Sequence, residues 1–335
     1  MKPRFSIIVP VYNRPQEVAD LAASLLAQSC RDFELIVVED GSTVPCRRQI
    51  DEAIAKGLDA KYYYKDNEGR SIARNYGMER ASAGFFIFFD SDVVVPPDYF
   101  KILSEHLDKE PEIECFGGPD AAHDSFSNTQ KAINYAMTAF LTTGGIRGGK
   151  VSLEKFTPRT FNMGFRRDVY QKVGGFREMF SEDIDMSMRI RGAGYSLTLI
   201  PDAAVWHKRR ISFRKFARQV FVFGMSRITL WQLYPDSLKT VHMLPALAVV
   251  GLLALIVLAL TVSWWFLLPV ALYFLAILVG AFVSTRSVTT AVMGVPAAAV
   301  QIGGYGTGFI KAWFNACVLR RGRNIDNEIK MRKGK

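Results

Sequence analysis

Residues Phe85-Phe86-Ile87-Phe88-Phe89 run without a polar side chain straight into Asp90-Ser91-Asp92. A short apolar run closed by polar residues fits a strand buried on both faces, as in a parallel sheet covered by helices. That points to an α/β architecture, in which ligands bind beyond the carboxyl ends of the strands. Two carboxylates so close repel each other unless a cation lies beside them, and a hard ion such as Mg²⁺ or Mn²⁺ suits oxygen donors. Asp and Ser also favour helix N-caps and turns, so the triplet alone leaves both readings open.

The surrounding sequence alternates strand and helix patterns. Phe5–Val11 reads as a strand, broken by Tyr12-Asn13-Arg14-Pro15. Pro15 to Gln28 has helical spacing, with Val18, Leu21, Ala22, Leu25 and Leu26 on one face. Glu34–Val38 is a second strand, ending in Glu39-Asp40-Gly41-Ser42, and Lys61–Tyr64 a third; helices are expected over Arg47–Lys56 and Ser71–Arg80. The alternation predicts a mostly parallel sheet with right-handed crossovers. Pro97–Lys109 reads as a helix and Glu114–Phe116 as a short strand. The pattern loosens from Gly117 to Arg159, where the basic run Gly144–Lys150 suits a lid, an acceptor loop or plain surface.

Tyr12-Asn13, Asp40-Gly41-Ser42 and Asp90-Ser91-Asp92 each follow a strand, so they should meet along one sheet edge as a nucleotide pocket. Each alone is equally a turn. Asp40 would accept an N–H or O–H from base or ribose. Arg74 either approaches the phosphates or is a solvated helix charge. Ser181 is a plausible N-cap, and Glu182, Asp183 and Asp185 suit the helix dipole. The alternative is that one of these acids is a general base. His207 is either a metal ligand or a packed residue.

The chain of 335 residues carries a formal charge of +10, concentrated at Lys208–Arg227 and Arg320–Lys335. Both regions flank strongly apolar sequence, which favours a membrane surface over nucleic acid. Cys30, Cys46, Cys115 and Cys317 have no paired spacing, which fits a reducing compartment. A strand beginning near the N-terminus without a signal-peptide pattern places the first domain in the cytosol. Phe213, Phe216, Val220, Phe221 and Phe223 interleave with Arg214, Lys215, Arg218 and Arg227, as in a helix lying in the headgroup plane or packed on the catalytic domain. Gly224 and Pro235 are expected to break it.

Met243 to Thr285 contains no charged residue, enough for two spans, Leu244–Val262 and Phe266–Ser284, with Trp264-Trp265 between them. Ser287–Ile310 is a third uncharged stretch, interrupted by Pro296 and several glycines. A re-entrant hairpin bending at Gly303-Gly304-Tyr305-Gly306 would keep the basic tail cytosolic, in line with the positive-inside rule. The expected organisation is therefore a catalytic domain over 1–208, amphipathic helices over 209–240, a membrane region over 241–311 and a basic cytosolic tail over 312–335.

Taken in order, Ile8–Asn13, Val38–Ser42, Asn67-Glu68-Gly69 with Ala73-Arg74-Asn75, Asp90-Ser91-Asp92, Asn162–Phe165 and Ser181-Glu182-Asp183 resemble the motifs of family 2 glycosyltransferases with the GT-A fold. The resemblance covers about residues 3 to 230, and the nearest type is the membrane-bound succinoglycan-biosynthesis glucosyltransferase. It implies an inverting transfer from a nucleotide sugar, a UDP-sugar first, to a lipid-linked saccharide in polysaccharide or glycolipid assembly. The enzyme would be a multi-pass inner-membrane protein with its catalytic domain in the cytoplasm. Asp40, with Pro10, Tyr12 and Asn13, would bind the nucleotide. Asp90 would lie near ribose and metal, Asp92 and His207 would bind Mn²⁺ or Mg²⁺, and Asp183 would be the base. Arg209 or Arg210 would contact the diphosphate, and Glu182 and Gly164 would face the acceptor. The Gln-x-x-Arg-Trp motif of processive synthases is missing, which disfavours polymerisation. Transfer onto polyprenyl phosphate is one alternative, and a non-catalytic membrane scaffold is another.

Overall fold

In chain order the strands and helices of the computed structural model are β1 (Phe5–Val11), α1 (Pro15–Leu26), β2 (Phe33–Asp40), α2 (Arg47–Ala55), β3 (Ala60–Lys65), α3 (Arg70–Arg80), β4 (Phe85–Phe88) and β5 (Val93–Val94). Then come α4 (Tyr99–Lys109), β6 (Cys115–Gly117), β7 (Asp120–Ala121), α5 (Asn128–Thr138), α6 (Phe140–Thr143), β8 (Met163–Arg166), α7 (Arg167–Val173), α8 (Glu182–Gly192), β9 (Thr198–Leu199) and β10 (Val205–His207). The remainder is helical: α9 (Phe213–Leu233), α10 (Thr240–Thr261), α11 (Leu268–Thr285) and α12 (Val288–Trp313). The structure describes residues 2–121, 126–144, 156–207 and 212–319.

The chain divides into two compact units, one of residues 1–123 and 156–208, the other of residues 124–155 and 209–335. In the first unit a seven-stranded sheet has the order β3-β2-β1-β4-β8-β6-β9. β1, β2, β3 and β4 are parallel, and β8 runs antiparallel between β4 and β6. A small sheet β5-β10-β7 lies beside it. The strands are apolar on both faces because both faces are covered. Ile7, Val9, Leu35, Val37 and Ile87 join one cluster, and Ile8, Ile36, Val38, Phe86 and Phe88 the other. At about 25 cal/mol per Å², each fully buried Phe contributes roughly 2–3 kcal/mol, so the Phe run fixes β4 in the sheet centre.

Gly164, expected on the acceptor side, lies in β8 between Ile87 and Phe116. A Cβ there would fall on the Phe116 ring and lie 3.0 Å from the Phe86 carbonyl. Its role is close strand packing, because strands cannot approach over a side chain at that point.

In the second unit, α10 and α11 present apolar side chains outward, with Leu260 83% and Leu253 60% exposed. Each belongs to an apolar segment of 22 residues, long enough to cross a membrane. Gly224 does not break α9, and the hairpin expected within 287–310 does not form: α12 runs unbroken through Gly303-Gly304-Tyr305-Gly306. These glycines serve close approach instead of bending. A Cβ on Gly304 would meet Val220, on Gly306 the Pro245 carbonyl, on Gly308 the Phe221 carbonyl, and on Gly224 the Tyr305 carbonyl. Small residues let helix backbones pack closely, and the packing energy offsets the propensity cost of glycine.

Candidate active site

The sheet register brings three strand exits to the same end of the sheet. Pro10 pairs with Val38 and Ile8 pairs with Phe88, so Tyr12 stands opposite Asp40 and Asp90 is about two residues, ~7 Å, away along the edge. Tyr12 is 49% exposed, its ring available for stacking, with Pro10 half-buried beside it. Asn13 holds a left-handed φ of 54°, which Asn tolerates better than most residues. Its N–H donates to Ser42 Oγ at 2.7 Å, and its Oδ1 accepts from the Val44 N–H at 2.9 Å. Asn13 therefore ties the end of β1 to the loop after β2.

Asp40 is buried. Its carboxylate accepts from Lys65 Nζ at 2.9 Å and from the N–H groups of Glu68 and Gly69 at 3.0 and 2.9 Å. Burial works against the Lys65 charge, but the hydrogen bonds to Glu68 and Asp40 outweigh it and raise its pKa. Asp40 thus orders the Asn67-Glu68-Gly69 loop, and a carboxylate so engaged keeps little capacity for another donor. Glu39 beside it accepts from Ser42, Cys46 and Tyr62 and is wholly internal.

Beyond β4, Asp90 Oδ1 accepts from Arg74 Nη2 at 2.8 Å, and Asp92 Oδ2 lies 3.2 Å from Arg14 Nη1. Arg74 is completely buried. Its Nη1 donates to Glu182 Oε1 at 2.9 Å, and its guanidinium sits 5.6 Å from the Phe176 ring centre. Arg74 is thus a bridge between β4 and α8. Glu182 is also gripped by Arg70, whose Nε and Nη2 each lie 2.6 Å from its oxygens. Glu182 was expected on the acceptor side, yet its side chain is 1% exposed and turned inward by two cations. Partial desolvation works against the Arg70 charge, but Glu182, Asp90 and Asp183 outweigh it and hold its pKa above the usual range.

Of the three acids in the first turn of α8, Asp185 is fully buried between Arg177 and Arg189. Asp183 alone keeps a partly open carboxylate. Its Oδ1 accepts from the Ile184 N–H at 2.8 Å, and its Oδ2 lies 3.6 Å from Arg159 Nη1. Ser181 takes the N-cap position expected of it, but with a left-handed φ of 58° and without a side-chain capping bond. The His207 side chain, Arg209 and Arg210 lie outside the described residues.

Among the described residues no group of three metal-ligating side chains occurs. Asp90 and Asp92 each set one carboxylate oxygen against an arginine while staying partly exposed, and Mg²⁺ is commonly held by one or two carboxylates completed by substrate phosphates and water. Arg14, Arg70 and Arg159 were missed as site residues in the sequence. Arg70 stands four residues before Arg74, a same-face spacing that could have found it. Arg14 adjoins the Tyr12-Asn13 exit, while Arg159 carries no local signal.

A mostly parallel mixed sheet with flanking helices, and acids at the exits of β2 and β4, defines a GT-A-like sugar-transferase fold. Residues 6–174 match the model of glycosyl transferase family 2, and the chain belongs to that family. An uncharacterized glycosyltransferase of Rickettsia conorii is 32% identical over 106 residues, 32% of this chain and 17% of that one. The glycosyltransferase AglE of Haloferax volcanii is 27% identical over 272 residues, covering 75% of this chain and 82% of its own. The chain thus spans about a sixth of the length of the Rickettsia protein, and most of AglE. A mannosyltransferase of Pyrobaculum calidifontis, solved with GDP-Man and Mn²⁺, aligns with TM-score 0.56 over 96% of this chain and 89% of its own. At 15% identity that likeness is one of fold.

Proposed function

We propose that this chain is an inverting, divalent-ion-dependent glycosyltransferase that moves a sugar from a nucleotide sugar, a UDP-sugar first, to a lipid-linked saccharide in polysaccharide or glycolipid assembly. The observation that carries the reading is the gathering of Tyr12, Asp40 and Asp90 at one end of the sheet, joined through Arg74 and Glu182 to the helix that bears Asp183. Tyr12, Pro10 and the loop held by Asn13 and Asp40 receive the nucleotide. Asp90 and Asp92 would hold Mg²⁺ or Mn²⁺, with His207 as a further ligand, and Arg209 or Arg210 would meet the diphosphate. Bound there, the ion would neutralise charge on the departing diphosphate without proton transfer. Asp183 takes the proton of the acceptor hydroxyl, a general-base role worth about 10²–10⁴ in rate. Arg74 keeps α8, and so Asp183, at a fixed distance from the β4 exit.

The two outward-facing apolar helices support placement in the inner membrane as a multi-pass protein, with the catalytic unit in the cytoplasm. A lipid-linked acceptor follows from that placement, and the charge distribution gives nucleic acid no part. A second reading, transfer onto polyprenyl phosphate, gains from the 3.6 Å approach of Arg159 to Asp183. A cation at that point attracts an acceptor that is already anionic. The test is release of nucleoside diphosphate from a donor panel with Mn²⁺ or Mg²⁺, supplied with either a hydroxyl acceptor in membrane lipid extract or polyprenyl phosphate. Asp183→Asn should abolish only the hydroxyl reaction. No release with any donor would leave the scaffold reading.

A further inference from the structure

The helices α5 and α6 arise between strands of the catalytic unit, yet they belong to the second unit with the apolar helices. One face of α5 is occupied: Ala132, Ile133, Ala136 and Met137 pack with Phe216 and Val220 of α9 and Ala297 of α12. Tyr135 packs with Ile277 and Ala281 of α11 and Ala291 and Ala298 of α12. Gly280 of α11 is the point at which the Tyr135 hydroxyl comes closest, where any Cβ would collide with it.

The path of these contacts runs along α11. Asn128 at the start of α5 meets Thr290, just past the Thr285 end of α11. Tyr135 reaches Gly280. Leu141 in α6 then offers its carbonyl to the Tyr273 hydroxyl at 3.0 Å. Tyr273 is twelve residues before Thr285, about 18 Å along the helix at 1.5 Å per residue. From Ala132 to Gly144 the sequence has no charged residue. At the tip, Phe140 and Leu141 are 54% and 48% exposed.

The backbone at the tip is arranged as a medium without water requires. The chain breaks at Ala139 between the two helices; the Ala139 carbonyl accepts from the Thr142 and Thr143 N–H groups at 3.2 and 3.1 Å, and threonine hydroxyls add further bonds. Thr142 Oγ1 donates to the Ala139 carbonyl at 2.9 Å, and Thr143 Oγ1 reaches the carbonyls of Ala139 and Met137 at 3.1 and 3.3 Å. Thr138 Oγ1 donates to the Asn134 carbonyl at 2.9 Å, and the Gly144 N–H closes on Phe140. The Met137 carbonyl, near the end of α5, is met by the Thr143 hydroxyl, and an orphan carbonyl in hydrocarbon would cost several kcal/mol.

We propose that residues 128–144 descend beside α11 and seat Phe140 and Leu141 in the hydrocarbon of the bilayer. The proposal rests on α10 and α11 crossing the membrane. Its occupant is lipid because the exposed tip continues the apolar surface of α11, and the tip carries no charge that a protein surface would read. The descending segment is 128–144, in place of the 287–310 hairpin that the sequence suggested.

The test uses the full chain in lipid nanodiscs, with Cys30→Ser and Cys317→Ser, leaving buried Cys46 and Cys115. An environment-sensitive fluorophore is attached at Phe140→Cys or Leu141→Cys. Leu260→Cys on α10 and Lys101→Cys on α4 are the lipid and water references. All are exposed positions, so the substitutions leave packing intact. Lipids with doxyl groups on the acyl chain should quench the two tip sites as strongly as Leu260, while aqueous iodide should quench only Lys101. Iodide quenching at the tip would place it in water and overturn the proposal. Protection from both quenchers would place a protein surface over it and overturn it equally. If Leu260 itself escaped the doxyl lipids, the membrane reading would fall, and the proposal with it.

Discussion

Replacing Arg74 by Met tests whether the buried bridge holds the two halves of the site together. Met nearly matches the length of the Arg stem but leaves Asp90 and Glu182 without the central cation. Removing one partner of a buried pair costs about 3–5 kcal/mol, chiefly because the other charge is left uncompensated. Here Glu182 retains Arg70, and Asp90 is 32% exposed and can be hydrated, so the low end, about 3 kcal/mol, applies. For a unit of this size each kcal/mol moves the melting temperature by about 2–4 °C, giving a drop of about 6–12 °C. Thermal unfolding of the detergent-solubilised full chain, followed by tryptophan-independent near-UV signal or dye binding, measures it. Adding Glu182→Leu should recover most of the loss, because an apolar pair carries no stranded charge and Arg70 is half exposed. A single variant that melts within 2 °C of the parent by this scale, or a double variant no better than the single, would refute the bridge argument.

Burial opposes ionisation of Glu34, but hydrogen bonds from Lys61, Ser6 and Ser82 outweigh it and lower its pKa to about 2. The folded-state pKa is below the unfolded one, so its contribution, roughly 3 kcal/mol, is full above about pH 5 and fades as pH falls toward 2; Glu34→Gln should flatten that limb of an acid titration followed by circular dichroism. Gly164→Ala should cost about 1–3 kcal/mol by overpacking against Phe116, read as a lowered melting temperature with donor affinity retained in what remains folded. Gly308→Leu should separate α12 from α9 at Phe221 and lower the detergent melting point of the full chain, whereas Gly251→Leu, where a Cβ meets nothing within 4 Å, should leave it unchanged.

Much of the catalytic unit was legible because β1, β2 and β4 are buried on both faces and therefore carry the apolar runs Ile7–Val11, Leu35–Val38 and Phe85–Phe88. The strand exits were legible for the same reason, since polar residues return where burial stops. α5 was not found, because its buried face is built largely from Ala and Tyr among Asn and Thr, with too little polarity contrast to mark a period. The glycines of α12 misled because glycine signals both a bend and a close approach, and only the partner backbone at Phe221 and Pro245 tells them apart. In the site, Arg70 and Arg74 share a helix face and could be paired from spacing. Arg159 and Asp183 meet although they are 24 positions apart in the chain, a contact that local pattern does not encode.

That α5 and α6 leave the catalytic unit in mid-sequence and complete the other has a practical result. Cutting the chain after residue 208 to obtain a water-soluble enzyme would retain Ile133, Tyr135 and Met137 while discarding Phe216, Ile277 and Ala298, their natural cover. Such a fragment would carry a greasy flap with nowhere to settle and would self-associate. A well-behaved soluble version needs an internal deletion spanning 124–155, bridged by a short polar linker, as well as the C-terminal cut.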